Sequence, residues 1–146
     1  MNLSIEISRK ISQAYNAMCK PLCKELELSQ TAFDILMFLG NNPNHNTAGE
    51  IVEIRRIKAN LVSVNVERLV REGYLLRKQV EGDRRKTGLV CTDKAKPIID
   101  RGRKLQKAFT ERMFLNMDDD LRKAFSEATD IIEKNLNEIL EAENKL

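Results

Sequence analysis

The stretch from residue 58 to residue 92 limits what this chain can fold into more than any other. Between residues 58 and 72, Val62, Val66, Leu69 and Val70 recur at the three- and four-residue spacing of one helical face. Gly73 follows at once, where a left-handed residue closes a helix. Two runs of strand character, residues 74–80 and 86–91, then flank the polar tip Glu81-Gly82-Asp83-Arg84-Arg85-Lys86. A short helix joined directly to a cationic hairpin has few ways to pack. The helix must bury one face, and something else in the chain must supply the surface.

The flanking segments supply it. Ser29 is placed to cap a second helix, whose Ala32, Phe33, Ile35, Leu36, Met37, Phe38 and Leu39 are apolar nearly all round. That marks a buried hub, ended by Gly40 and Pro43. Thr47 caps a short helix over residues 48–55 with Ile51, Val52 and Ile54 as its apolar side, and a turn at Arg56-Ile57 leads into the next helix. Upstream, Ile7, Ile11, Ala14, Met18 and Leu22 form the stripe of a first helix, which Pro21 should kink or break. Downstream, Thr92 is expected to cap a helix carrying Ile98, Leu105, Phe109 and Met113, with a distortion at Pro97. Asp118-Asp119-Asp120 opens the last helix, where the dipole favours negative charge, and Leu121, Phe125, Ala128, Ile132, Leu136 and Ile139 form its stripe.

These elements predict a mainly α chain with a small β-hairpin wing, a winged helix-turn-helix. Residues 1–28 are expected to form an N-terminal dimerisation helix, residues 29–96 a DNA-binding lobe, and residues 97–146 C-terminal dimerisation helices. The end helices carry more apolar stripe than one small lobe requires. Packing together, and then against a second copy, is the simplest use of it.

Charge distribution points the same way. The chain of 146 residues has a net charge of only +3, yet residues 55–104 hold 15 Lys and Arg against 6 Asp and Glu. A basic middle between acidic ends is a local footprint for a polyanion. Trp is absent and aromatics make up 5% of the chain, so the core should be built mostly from Leu, Ile, Val and Met. Three cysteines, Cys19, Cys23 and Cys91, with no secretory leader, suggest a soluble protein of a reducing, bacterial-type cytoplasm. No segment approaches the ~18 apolar residues of a membrane span. There is no Gly-rich phosphate loop and a single histidine, His45, so catalysis is not expected; neither are a cofactor or a zinc site.

On the face of the 58–72 helix opposite its apolar stripe lie Lys58, Asn60, Ser63, Val64, Glu67, Arg68 and Arg71. They suit entry into a major groove, while Asp83, Arg84, Arg85 and Lys86 of the hairpin tip suit a neighbouring groove and its phosphates. Both features have a plainer reading as a solvated helix face and a soluble turn. A winged-helix adaptor that binds protein is a third reading. Cys19 and Cys23, at i, i+4 on one helix, are candidates for a thiol or peroxide sensor, or small core residues.

The run Glu67-Arg68-Leu69-Val70-Arg71-Glu72-Gly73-Tyr74-Leu75, followed by Asp83-Arg84-Arg85 and then Leu89, Val90 and Thr92, resembles the MarR family of bacterial transcriptional regulators. The resemblance covers nearly the whole chain. It implies a homodimer on a pseudo-palindromic double-stranded operator, with recognition helices in successive major grooves and Arg85 of each wing in a minor groove. Asp83 resembles the wing acid that orients a neighbouring arginine. A repressor released by a small aromatic or amphipathic effector is the expected mode. Its cleft would lie among the first two helices and the helix carrying Ile98 and Met113. The chain departs from the family in two places: Ala95-Lys96-Pro97 replaces a usual Gly after the Thr, and Leu61 and Val64 stand where polar residues are common.

Overall fold

The computed structural model describes residues 5–145, with the side chain of Arg84 left outside that description. Its elements are α1 (Ile5–Glu25), α2 (Gln30–Asn41), α3 (Ala48–Arg55), α4 (Ala59–Arg71), β1 (Leu75–Val80), β2 (Asp83–Cys91), α5 (Lys96–Met113) and α6 (Asp119–Asn144). The two strands form one antiparallel sheet. This is the mainly α, winged helix-turn-helix fold expected. One compact unit ends at Phe109 and a second begins at Thr110, so α1 and most of α5 belong with the lobe of residues 29–96. Among the described residues no helix is long and apolar enough to cross a membrane.

In the first unit α2 is the hub. Ala32, Phe33, Ile35, Leu36, Met37, Phe38 and Leu39 are all buried, and around them pack Leu22, Ile51, Val62, Val66, Leu69, Leu75, Leu89, Ile98 and Ile99. Each large side chain so buried contributes ~1.5–3 kcal/mol. Phe33 and Phe38 are buried with the rest of the hub, in a core otherwise largely aliphatic as expected. Ile54 is half exposed, so α3 buries Ile51 fully and Val52 in part.

Where α5 crosses α2, Gly102 leaves no room for a side chain. A Cβ there would sit 2.2 Å from Met37 Sδ and 3.1 Å from Phe33 Cζ. α5 is also bolted at its surface. Arg103 donates to Gly40 O at 2.7 Å and to Asn41 Oδ1 at 3.1 Å, closing the carboxyl end of α2. Gln106 donates to Tyr15 Oη at 2.9 Å and accepts from Asn41 Nδ2 at 3.0 Å, and Tyr15 meets Phe109 edge-on at 5.4 Å.

Two local expectations are corrected, and of the kink or break expected at Pro21 the break does not occur. α1 runs unbroken through Pro21 to Glu25. Pro21 takes the donor from the carbonyl of Ala17, an exposed residue, while the burial of Leu22 and Cys23 directly after it favours keeping the helix. Thr92 does not cap α5. Its hydroxyl donates to Gly73 O at 2.6 Å, and a turn over residues 93–95 intervenes before the helix starts at Lys96. Pro97 therefore falls in the first turn, where its missing N–H needed no intrahelical partner and its fixed φ favours the helix. The caps at Ser29 and Thr47 stand as expected, and Asp118, expected as charge at the start of the last helix, caps it as well; each side chain accepts from an amide three residues on.

The second unit is dominated by α6, 26 residues long with none buried. Leu121, Phe125, Ile131, Ile132, Leu136, Ile139 and Leu140 are all exposed along it. Phe114 packs edge-on against Phe125 at 5.5 Å.

Candidate nucleic-acid interface

α4 is held by its ends and along one side. At its carboxyl end, Gly73 N donates to Val70 O at 3.1 Å and Tyr74 N to Leu69 O at 2.8 Å, with Gly73 at φ +84°. This is the double bond of a Schellman closure, which needs a left-handed residue at that position. Thr92 clasps the same Gly73 carbonyl, tying the base of the hairpin to the helix end. Arg68 reaches Glu27 O at 2.7 Å and pairs with Glu72 at 3.0 Å. Asn65 donates to Leu61 O at 2.8 Å and accepts from Ser29 Oγ at 2.8 Å, so the cap of α2 also grips α4.

The predicted contact residues on α4 therefore divide. Asn60, Ser63, Val64, Glu67 and Arg71 are exposed on the outer face, and Lys58, also exposed, is the N-cap position without a side-chain cap bond. Glu67 pairs with Arg77 of β1 at 3.1 Å. Arg68 faces the turn between α1 and α2 and is taken up there. Asn65, missed as a positioning residue, could have been found only from its spacing to Leu61 and not from its bond to Ser29.

The wing is irregular where its charge lies. Strand pairing runs regularly from Leu75 opposite Cys91 to Gln79 opposite Thr87, then jumps to Val80 opposite Asp83. One step on β1 thus spans four on β2, and Arg84, Arg85 and Lys86 occupy the excess. Irregularities of this kind break the regular alternation of side chains and re-aim them. Asp83 Oδ1 accepts from the backbone amide of Arg85 at 2.9 Å, so the acid orients that arginine through its main chain. The side chains of Arg85 and Lys86 are exposed.

A third segment beside the wing was not anticipated. Leu89 N donates to Asn46 O at 2.7 Å, and Thr47 bridges Gly88. Gly88 permits this close approach, since a Cβ there would lie 3.3 Å from Asn46 Nδ2. The amino end of α3 is thereby fixed to β2. Glu50 accepts from Thr47 Oγ1 at 2.9 Å and meets His45 Nδ1 at 2.5 Å; the His45 contact is the main influence holding its carboxyl below the usual range.

Away from this face, a cleft of about 190 Å³ opens among α1, α2, the last turn of α3 and α5. Its walls include Tyr15, Asp34, Asn41, Arg55 and Gln106, a more polar lining than the apolar stripes predict. Asp34 accepts from Gln30 at 2.9 Å and pairs with Arg55 at 3.3 Å, but burial outweighs both and raises its pKa. Burial likewise raises the Tyr15 hydroxyl. Cys19 and Cys23 are buried, and burial pushes both thiols up, Cys23 to about 11. That setting holds them protonated, the opposite of what a reactive thiolate needs.

Residues 26–86 match the model of the MarR family. No curated protein sequence matches the chain at a significant level. Among solved structures, the chain is similar to a MarR protein from Peptoclostridium difficile, with 23% identity, 92% of this chain and 90% of the other covered, and a TM-score of 0.73. A MarR transcriptional regulator from Methanosarcina mazei shares 23% identity over 91% of this chain and 97% of its own, with a TM-score of 0.71. A chain from Listeria monocytogenes, described as a MarR-family transcriptional regulator and solved with a 26mer DNA, shares 17% identity over 93% and 90% of the two chains, with a TM-score of 0.79.

Proposed function

We infer that this chain, whose residues 26–86 match the model of the MarR family, is a double-stranded DNA-binding transcriptional regulator. The observation that carries the reading is the joint presentation of two surfaces on one clasped frame. One is the outer face of α4, with Asn60, Ser63 and Arg71 exposed. The other is the irregular wing tip with Arg85 and Lys86 exposed. A guanidinium suits a narrow, electronegative minor groove, and a helix of this size suits the major groove.

The finer reading is a homodimeric repressor on a pseudo-palindromic operator, its half-site centres ~10 bp apart. The exposed apolar stripe of α6 supports dimerisation, as do exposed Ile7 and Ile11 on α1. The polar-walled cleft beside Tyr15 and Asp34 supports an amphipathic effector over a purely apolar one. The sensor reading is weakened by the buried thiols, and the adaptor reading by the cationic wing tip.

The test is a titration of selected operator DNA at several salt concentrations. Arg85→Ala should weaken binding and lower the salt slope by about 0.9 for each phosphate it no longer neutralises. Asn60→Ala or Ser63→Ala should instead cost ~1–3 kcal/mol at single base positions. Salt-insensitive binding, or an Arg85→Ala variant equal to its parent, would remove the basis for the reading.

A further inference from the structure

The centre of the outward face of α4 is apolar. At ~100° per residue, Val64 points roughly opposite the middle of the buried stripe of Val62, Val66 and Leu69. Val64 is 68% exposed and Leu61, one turn back on the adjoining row, is 43% exposed. A β-branched residue at an exposed mid-helix site lowers helix propensity and gains no packing within the chain. The polar neighbours that could mask it are partly engaged elsewhere. Asn65 is held by Ser29 and Leu61, Arg68 by Glu27 and Glu72, and Glu67 by Arg77. Asn60, Ser63 and Arg71 remain around Val64 as exposed polar groups.

The edges of base pairs in the major groove offer donors, acceptors and one apolar group, the 5-methyl of thymine. Set against a purine N7, O6 or N6, a thymine O4 or a cytosine N4, Val64 would cover a donor or acceptor without pairing it, which carries a desolvation penalty. We propose that Val64 reads a thymine methyl in each operator half-site, with Asn60 and Ser63 bonding the flanking edges. This rests on the reading of α4 as the recognition helix and specifies the chemical feature it selects.

The experiment replaces each thymine of the selected operator in turn by deoxyuridine, which lacks only the methyl group. One symmetric pair of replacements should weaken binding of the parent protein by about fourfold for each buried methyl, hence ~15-fold for both half-sites. The Val64→Ala variant should bind the unmodified operator more weakly and be indifferent to that same replacement. Alanine at an exposed helical site favours the helix, so an unchanged melting curve checks that the variant is folded. A parent protein insensitive to every replacement overturns the proposal, as does a Val64→Ala variant that keeps the parent's sensitivity. Either result leaves salt-dependent operator binding intact. Loss of the functional reading would show differently, as no salt-dependent binding to any duplex.

Discussion

Ser29 performs two tasks, and removing its hydroxyl should expose both. Its oxygen accepts from Ala32 N at 3.0 Å, capping α2, while its proton goes to Asn65 on α4 at 2.8 Å. Loss of an N-cap side chain costs ~1 kcal/mol. Loss of a net hydrogen bond adds about 0.5–1 kcal/mol, the lower part of the usual range because the pair is exposed. Ser29→Ala should therefore destabilise by about 2 kcal/mol, a fall of roughly 6 °C for a chain this long. Ser29→Asp keeps an acceptor for Ala32 but cannot donate, so it should recover most of the cap and none of the tie. Asn65→Ala should cost about 1 kcal/mol, and the double variant Ser29→Ala with Asn65→Ala should cost less than the sum of the singles. Urea unfolding at one fixed protomer concentration measures all four, since assembly shifts apparent stability. A Ser29→Ala variant within ~0.5 kcal/mol of its parent, or strict additivity in the cycle, refutes the double role.

Other expectations follow from single features. Glu27 sits at φ +55° in the turn after α1, so Glu27→Gly should stabilise by up to ~1 kcal/mol, read by the same unfolding assay, and a loss of stability would show that its side chain matters more. Arg101 bonds Glu25 at 2.7 Å and 3.2 Å and holds its pKa below the usual value. The folded value lies below the unfolded one, so this stabilisation is present above the unfolded value and lost as pH falls through the folded one. The parent should accordingly exceed Glu25→Gln in melting temperature at neutral pH and lose that margin in acid; a margin that grew on acidification would contradict the pairing. With their thiols raised by burial, Cys19 and Cys23 should react with a thiol reagent at pH 8 far more slowly than after denaturation, and rapid labelling of the native protein would restore the sensor reading. Light scattering should report a dimer, and charge on the α6 stripe, as in Leu136→Glu, should shift it towards monomer.

Much of the frame was legible because its signals are local. Ser29, Thr47 and Asp118 announce helix starts within three residues, and Gly73 announces an end by its type alone. The stripe of Val62, Val66 and Leu69 is a matter of period. What escaped depends on residues far apart in the chain. Thr92 looks like a cap until Gly73, 19 residues earlier, claims its hydroxyl, and that shift moves Pro97 into a harmless first turn. Arg68 shares the outer half of a helical wheel with Arg71, yet Glu27, 41 residues away, draws it in. The Asn46–Thr47 segment has no strand pattern of its own, and its pairing is eased by the space that Gly88 leaves beside Asn46.

The grip on α4 sets how the lobe can respond to anything that binds beside it. Asn65, Arg68 and the Gly73 closure fasten the helix to the start of α2, the turn after α1 and the root of the wing. Asn46 fastens α3 to the same wing. A helix so fastened is tied to its neighbours at both ends and along one side, so a displacement of α2 or of the turn after α1 would be expected to carry α4 with it. In the proposed dimer, regulation would then act as a change of gauge between two such readers. The bases each reader prefers would stay the same, while the separation of the two would cease to match one turn of the duplex.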